Sequence, residues 1–195
     1  MSYFSVSLEL GAGGGLVGLA VASGCSIANP LYITDQVEMH SLMEHNIGLN
    51  DLGAKVKAAV LNWSVSCPLL FPLTASCIAD SDLRAYLQHF MLIFYMKTRG
   101  EPLTQDVVAL KPDVILAADC VYFEPAFPLL LTTLSDLLEL CPSATIFFCF
   151  MKRRRADMQF LKTAKRMFNV SEVADDDRPV FSREGLFLYT FTRRT

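Results

Sequence analysis

The stretch Leu8-Glu9-Leu10-Gly11-Ala12-Gly13-Gly14-Gly15-Leu16 constrains the fold more than any other part of the chain. Ser5 to Leu10 reads as a strand, Gly11 to Gly15 as a turn and Leu16 to Ser23 as a short apolar helix. Glycines at that junction let the backbone turn sharply and approach a ligand, while the amides of the helix N-terminus point at it. Leu10 to Thr34 carries no charge over 25 residues, which is long enough for a bilayer span. Five glycines between Gly11 and Gly18, with Pro30 beyond, argue against such a span. No Lys or Arg precedes the stretch and Glu9 stands at its head, unlike a signal peptide. The expectation is a buried strand, turn and helix, and no membrane.

Strands and helices alternate along the rest of the chain. Leu31 to Thr34 is a second strand closed by Asp35, Val37 to Leu49 a helix, and Lys55 to Leu61 a third strand. Val114 to Ala118 is a continuous apolar run, as expected of a strand buried on both faces of a parallel sheet. Phe127, Leu130, Leu131, Leu134, Leu137 and Leu138 then form one broad helical stripe. Thr145 to Phe150 is a fifth strand, Asp157 to Phe168 a helix with Leu161, Ala164 and Phe168 inward, and Val170 to Val173 and Leu186 to Thr192 the last two strands. The pattern predicts one α/β domain over residues 1–195, an open, mostly parallel seven-strand sheet with helices on both faces. Ligands bind such sheets at the carboxyl ends of the strands.

Charge and cysteine usage narrow the function classes. A net charge of −3 argues against nucleic acid. The chain's 6 cysteines are scattered without a Cys-x-x-Cys pair and it has 3 histidines, which predicts no metal site and a reduced, cytoplasmic setting. The Lys152-Arg153-Arg154-Arg155 run reads as a solvated helix start.

The strand ends carry the chemistry. Asp35 lies 20 residues beyond Gly15, where a carboxylate accepts both hydroxyls of a ribose. Gly13-Gly14-Gly15-Leu16-Val17-Gly18 fits the dinucleotide pattern G-x-G-x-x-G. Glu9, inside the strand two residues before Gly11, suits instead a cationic donor without phosphate, and would repel a pyrophosphate. S-adenosylmethionine, with an ammonium and a sulfonium, is such a donor.

Leu8 to Gly18, Asp35, Asn62-Trp63 and Asp113 to Tyr122 resemble the motifs of the seven-strand, Rossmann-like methyltransferases. Within these they are most similar to the protein-lysine methyltransferases that modify chaperones and translation elongation factors. The resemblance implies S-adenosylmethionine as cofactor, with Gly11, Ala12 and Gly13 against its methionine part, Asp35 on the ribose, Trp63 beside the adenine and Ala118 lining the pocket. It implies that Asp119 and Tyr122 of the Asp-x-x-Tyr segment lie beside the methyl group and the incoming lysine. Asp119 also reads as a helix N-cap before Phe123-Glu124-Pro125. The basic run after the fifth strand is similar to the fungal branch acting on elongation factor 1-alpha, which would make that protein the partner of a monomeric enzyme. Two other readings stay open: an inactive or partial binding domain of this fold, and a dinucleotide-dependent oxidoreductase.

The chain departs from the family in two places. Its first strand begins near Ser5, which implies an N-terminally truncated domain lacking the segment, with its cofactor-contacting Trp, that the family places before it. Residues 64–99 form an atypical insertion, 21 of whose 36 residues are apolar, flush between Trp63 and Gly100. They read as the translation of a retained intron; a substrate-recognition insertion, with Leu83 to Met96 as a helix, and a membrane-touching hairpin are the other readings.

Overall fold

Seven strands form one sheet in the order β3-β2-β1-β4-β5-β7-β6 in a computed structural model that describes residues 6–63 and 103–194. The strands are β1 (Ser7–Leu10), β2 (Leu31–Asp35), β3 (Val56–Val60), β4 (Val114–Ala118), β5 (Thr145–Met151), β6 (Phe168–Glu172) and β7 (Leu186–Arg193). The helices are α1 (Leu16–Gly24), α2 (Val37–Leu49), α3 (Gln105–Leu110), α4 (Phe127–Leu140), α5 (Arg155–Met167) and α6 (Arg178–Arg183). β1 to β5 pair in parallel, whereas β7 inserts antiparallel between β5 and β6. This is the open, mostly parallel seven-strand α/β sheet that the sequence predicts.

The sheet's two faces divide the core. Leu8 and Leu10 of β1, Ile115 and Ala117 of β4, and Ile146, Phe148 and Phe150 of β5 share a cluster with the α4 stripe, whose six residues are all buried. Phe148 stacks on Phe191 at 4.8 Å and on Phe160 of α5 at 5.4 Å. Leu31 and Ile33 of β2 pack on the other face against Leu19 and Ala22 of α1 and Met43 and Ile47 of α2. Each fully buried Leu, Ile or Phe contributes about 1.5–3 kcal/mol. The alternation of Leu8 and Leu10 with Glu9 is the strand period of two that sends neighbours to opposite faces.

Register places the site. Leu10 lies opposite Thr34 of β2 on one side and Ala117 of β4 on the other. The carboxyl ends of these three strands therefore finish level, and Gly11, Asp35 and Asp119 follow at one edge. β1 has β2 on one side and β4 on the other, so the chain leaves it in opposite directions and a crevice opens above it.

Several expectations shift in detail. α5 begins at Arg155, and Phe168, expected inside that helix, opens β6. α3 and α6, of 6 residues each, were not foreseen, because neither is long enough to show a periodicity. Among the described residues no helix is long and apolar enough to cross a membrane, and no group of His, Cys, Asp and Glu could hold a metal ion. The readings for residues 1–5 and for the insertion at residues 64–99 lie outside the described residues.

Candidate active site

The glycine turn is held from three sides. Gly13 N–H donates to Asp35 Oδ2 at 2.7 Å, and Ala12 N–H to Thr34 O at 2.9 Å. Asn46 of α2 donates from Nδ2 to Gly14 O at 2.8 Å. Asp35 is thus the clamp of the turn, its other oxygen accepting Gln36 N–H at 2.7 Å. Gly11 adopts φ +63°, and a Cβ there would stand 3.0 Å from Cys120 Sγ and 3.1 Å from Trp63 Cζ2. The bare backbone is what lets the end of β1, Trp63 beyond β3 and Cys120 beyond β4 converge. At Gly13, φ +55°, a Cβ would meet none of the described residues within 4 Å. The turn therefore leaves open space on its outer side, as a backbone cradle for a ligand requires.

Glu9, expected to face a donor's positive charge, is engaged by the fold itself. It is 2% exposed, and its Oε2 accepts the Gly18 N–H at 2.8 Å. Its side chain lies between β1 and α1, behind the turn, and so it acts on the cleft by anchoring the helix. Burial is the main cause that raises its pKa from 4.5 to about 7, and the backbone bond to Gly18 opposes that rise. A carboxyl held protonated in the fold contributes stability that is fully present below about pH 4.5 and is lost as pH rises through about 7. Glu9→Gln is uncharged throughout, so its stability relative to the native chain should improve between pH 5 and pH 8, by roughly 3 kcal/mol at most. Urea unfolding at the two pH values measures this. A difference that does not change with pH would mean that Glu9 does not ionise in that window.

The turn after β4 lies beside the glycines. Cys120, 3% exposed, donates from Sγ to Leu10 O at 3.3 Å, and burial pushes its thiol well above the ordinary range. Asp119, which follows Ala118 at the end of β4, adopts φ +55°, rare for a residue with a side chain, and its N–H donates to Cys149 O at 2.8 Å. Its side chain is 56% exposed. Tyr122 is exposed, and its hydroxyl pKa is raised by partial desolvation and then by the charge of Asp35. Asp119 is not a helix cap: the single 3-10 turn Glu124–Ala126 starts at Phe123 and has no side-chain cap.

The basic run is engaged with this turn and is not merely solvated. Arg153 donates from Nη1 and Nη2 to the two oxygens of Asp119 at 2.6 and 2.8 Å. Arg154 Nη2 donates to Tyr122 O at 2.5 Å and to Asp157 Oδ1 at 3.2 Å. Sequence reasoning missed these arginines and Cys120. The acid at Asp157, three residues after Arg154, was the signal for a capped helix start that fixes the run.

The residues singled out from the sequence gather at the strand ends: Gly13 is bonded to Asp35 and Ala12 to Thr34, Trp63 and Cys120 lie against Gly11, and Asp119 and Tyr122 sit on the turn after β4 that Cys120 ties to Leu10, with Glu9 behind the glycine turn.

A family model described as lysine methyltransferase matches residues 2–93 and 91–167. The chain is 33% identical over 183 residues to the protein-lysine N-methyltransferase EFM6 of Saccharomyces cerevisiae, an alignment covering 88% of the chain and 60% of that protein. The chain therefore matches less than two thirds of that relative's length. Among solved structures, a SAM-dependent methyltransferase from Aquifex aeolicus superposes with a TM-score of 0.57 at 14% identity, covering 99% of this chain and 84% of the other. A human methyltransferase 10 domain containing protein superposes at 0.55 and 11% identity, covering 98% and 73%. At these identities the structural likeness speaks for the fold.

Proposed function

This chain belongs to the lysine methyltransferase family, and we propose that it transfers a methyl group from S-adenosylmethionine to the side-chain amine of a lysine in a protein. The observation that carries the reading is the junction of the two turns: Cys120 Sγ bonded to Leu10 O seats Asp119 and Tyr122 at the rim of the glycine cradle. The open outer side of Gly13 and the flat ring of Trp63 beside Gly11 fit an adenosine-bearing donor. The cradle, Asp35 and Trp63 would hold that donor, and Ala118 would line its pocket. When bound, S-adenosylmethionine supplies an activated methyl on a positively charged sulfur.

The chain's own residues then have two tasks. Transfer is an in-line displacement, so the amine must be held close and aligned, and orientation supplies much of the acceleration. A lysine amine has a pKa of about 10.4 in water, so the site must also favour the neutral form. Asp119 accepts a hydrogen bond from the amine and aims its lone pair, and Tyr122 with the neighbouring Phe123 walls the apolar stem.

The protein substrate, in our reading, is a translation elongation factor, elongation factor 1-alpha above all. The resemblance of Leu8 to Gly18, Asp113 to Tyr122 and the basic run after β5 to that family supports this, as does the EFM6 relationship at the level of protein-lysine methylation. Calorimetry should find binding of S-adenosylmethionine and none of NAD, and incubation of a cell lysate with labelled donor should label one band of that factor's size. Binding of NAD alone would restore the oxidoreductase reading. Donor binding without any labelled protein would favour the non-catalytic domain.

A further inference from the structure

We infer that Arg153 is a positioning residue that sets the orientation of Asp119 and offsets its charge, making the loop after β5 part of the acceptor site. This deepens the proposed lysine methylation and rests on it. A solvent-facing ion pair is ordinarily worth about 0–1 kcal/mol and positions nothing. Here both ends are fixed through the backbone. Asp157, fully buried, accepts the N–H groups of Arg153 and Arg154 on its Oδ2 at 2.8 and 2.7 Å. Lys152 N–H donates to Gly185 O at 2.8 Å, so the loop is tied to the start of β7 as well. At the other end Asp119 N–H is held by Cys149 O of β5. A fork between two anchored groups loses little freedom on forming, and its two parallel bonds fix the carboxylate plane.

The arrangement changes what an incoming lysine meets. Each Asp119 oxygen accepts one guanidinium N–H and retains a lone-pair site for the amine. A bare carboxylate would attract the amine but also hold it as ammonium, which cannot attack the methyl. The guanidinium offsets that charge, so the pair presents an acceptor of fixed direction with little net field. The other charged or titratable groups facing this point are Asp35 from β2, Cys120 and Tyr122 from the same turn, Cys149 from β5, and Arg154 and Asp157 from the start of α5. None of them reaches both oxygens of Asp119.

The test compares the native full chain with Arg153→Met, Arg153→Lys and Asp119→Asn, using a purified lysine-containing protein substrate. Arg153→Met should lower kcat/KM by about tenfold and move the rising limb of its pH profile upward by about one pH unit, since the unpaired Asp119 carboxylate then favours the ammonium form of the amine. Arg153→Lys, retaining the charge, should keep the limb where it is in the native chain. A second readout needs no turnover: hydrogen exchange of the amides of residues 119–123 should quicken in Arg153→Met, with those of residues 11–15 unchanged. An unmoved limb with unchanged exchange would overturn the inference, as would a lowered KM, which would make Arg153 an obstacle to the lysine. An active Asp119→Asn would overturn the lysine-site reading itself, whatever Arg153→Met does.

Discussion

Asp119→Asn is expected to remove methyl transfer while leaving donor binding in place. The substitution keeps the size of the side chain and removes its charge. It also turns one of the two oxygens that accept the Arg153 fork into an NH2 donor facing a guanidinium donor. The amide can no longer hold both Arg153 and an incoming amine, so the alignment that drives an in-line displacement is lost. A positioned acid or base group contributes about 10²–10⁴-fold, and a loss of that size in kcat/KM is the expected result. The cradle should be indifferent, because Gly13 N–H is held by Asp35 and the Gly11 approach is set by Trp63 and Cys120. The dissociation constant for S-adenosylmethionine should therefore stay within a few-fold of the native value. The folded state should change little, since the Asp119 side chain is more than half exposed and its ion pair with Arg153 is at the surface. Turnover of a lysine substrate within a few-fold of the native rate would remove Asp119 from the mechanism.

The sequence made the scaffold of this site readable because the scaffold depends on period and spacing. Val114 to Ala118 is an unbroken apolar run and is β4 residue for residue, and the Phe127 to Leu138 stripe is buried at all six positions. Gly11, Asp35 and Trp63 could be placed at strand ends for the same reason. What could not be read was direction. Glu9 alternates correctly within its strand, but nothing in its spacing distinguishes a carboxylate aimed at a ligand from one capping α1 at Gly18. Asp119 precedes a Pro-containing turn as an N-cap would, yet its carboxylate accepts the Arg153 fork and that turn has no side-chain cap. Arg153 stands 34 positions from Asp119, and only the parallel pairing of β4 with β5 brings the two loops together. Contacts made across strand ends are tertiary, and a one-dimensional pattern of charges looks the same whether the charges face solvent or each other.

Gly18 offers the largest expected effect on folding. It lies where α1 crosses β1 and β2, and a Cβ there would meet Ile33, Glu9 and Leu31 at once, Glu9 Oε2 at 2.6 Å and Leu31 Cδ2 at 2.8 Å. Ile33 and Leu31 are fully buried and have nowhere to go. Either α1 lifts off the strands or the Glu9 carboxyl leaves the Gly18 N–H. Overpacking a core costs about 1–3 kcal/mol, and a buried polar group deprived of its partner costs about another 1–3 kcal/mol. Gly18→Ala should thus lose about 2–6 kcal/mol of a total that is about 5–15 kcal/mol for a domain, and Gly18→Val, with two further methyls in the same space, should not fold. Gly13→Ala supplies the contrast. None of the described residues stands within 4 Å of its new methyl, so the cost is the left-handed φ of +55°, about 1–2 kcal/mol. The fold should survive that change, while the methyl intrudes on the open side of the cradle and weakens donor binding. Urea unfolding followed by far-ultraviolet circular dichroism separates the two positions. A Gly18→Ala chain with the native midpoint would mean that α1 rides higher on the sheet than the Glu9–Gly18 bond implies, and the cradle would then lack the rigid floor on which donor binding depends.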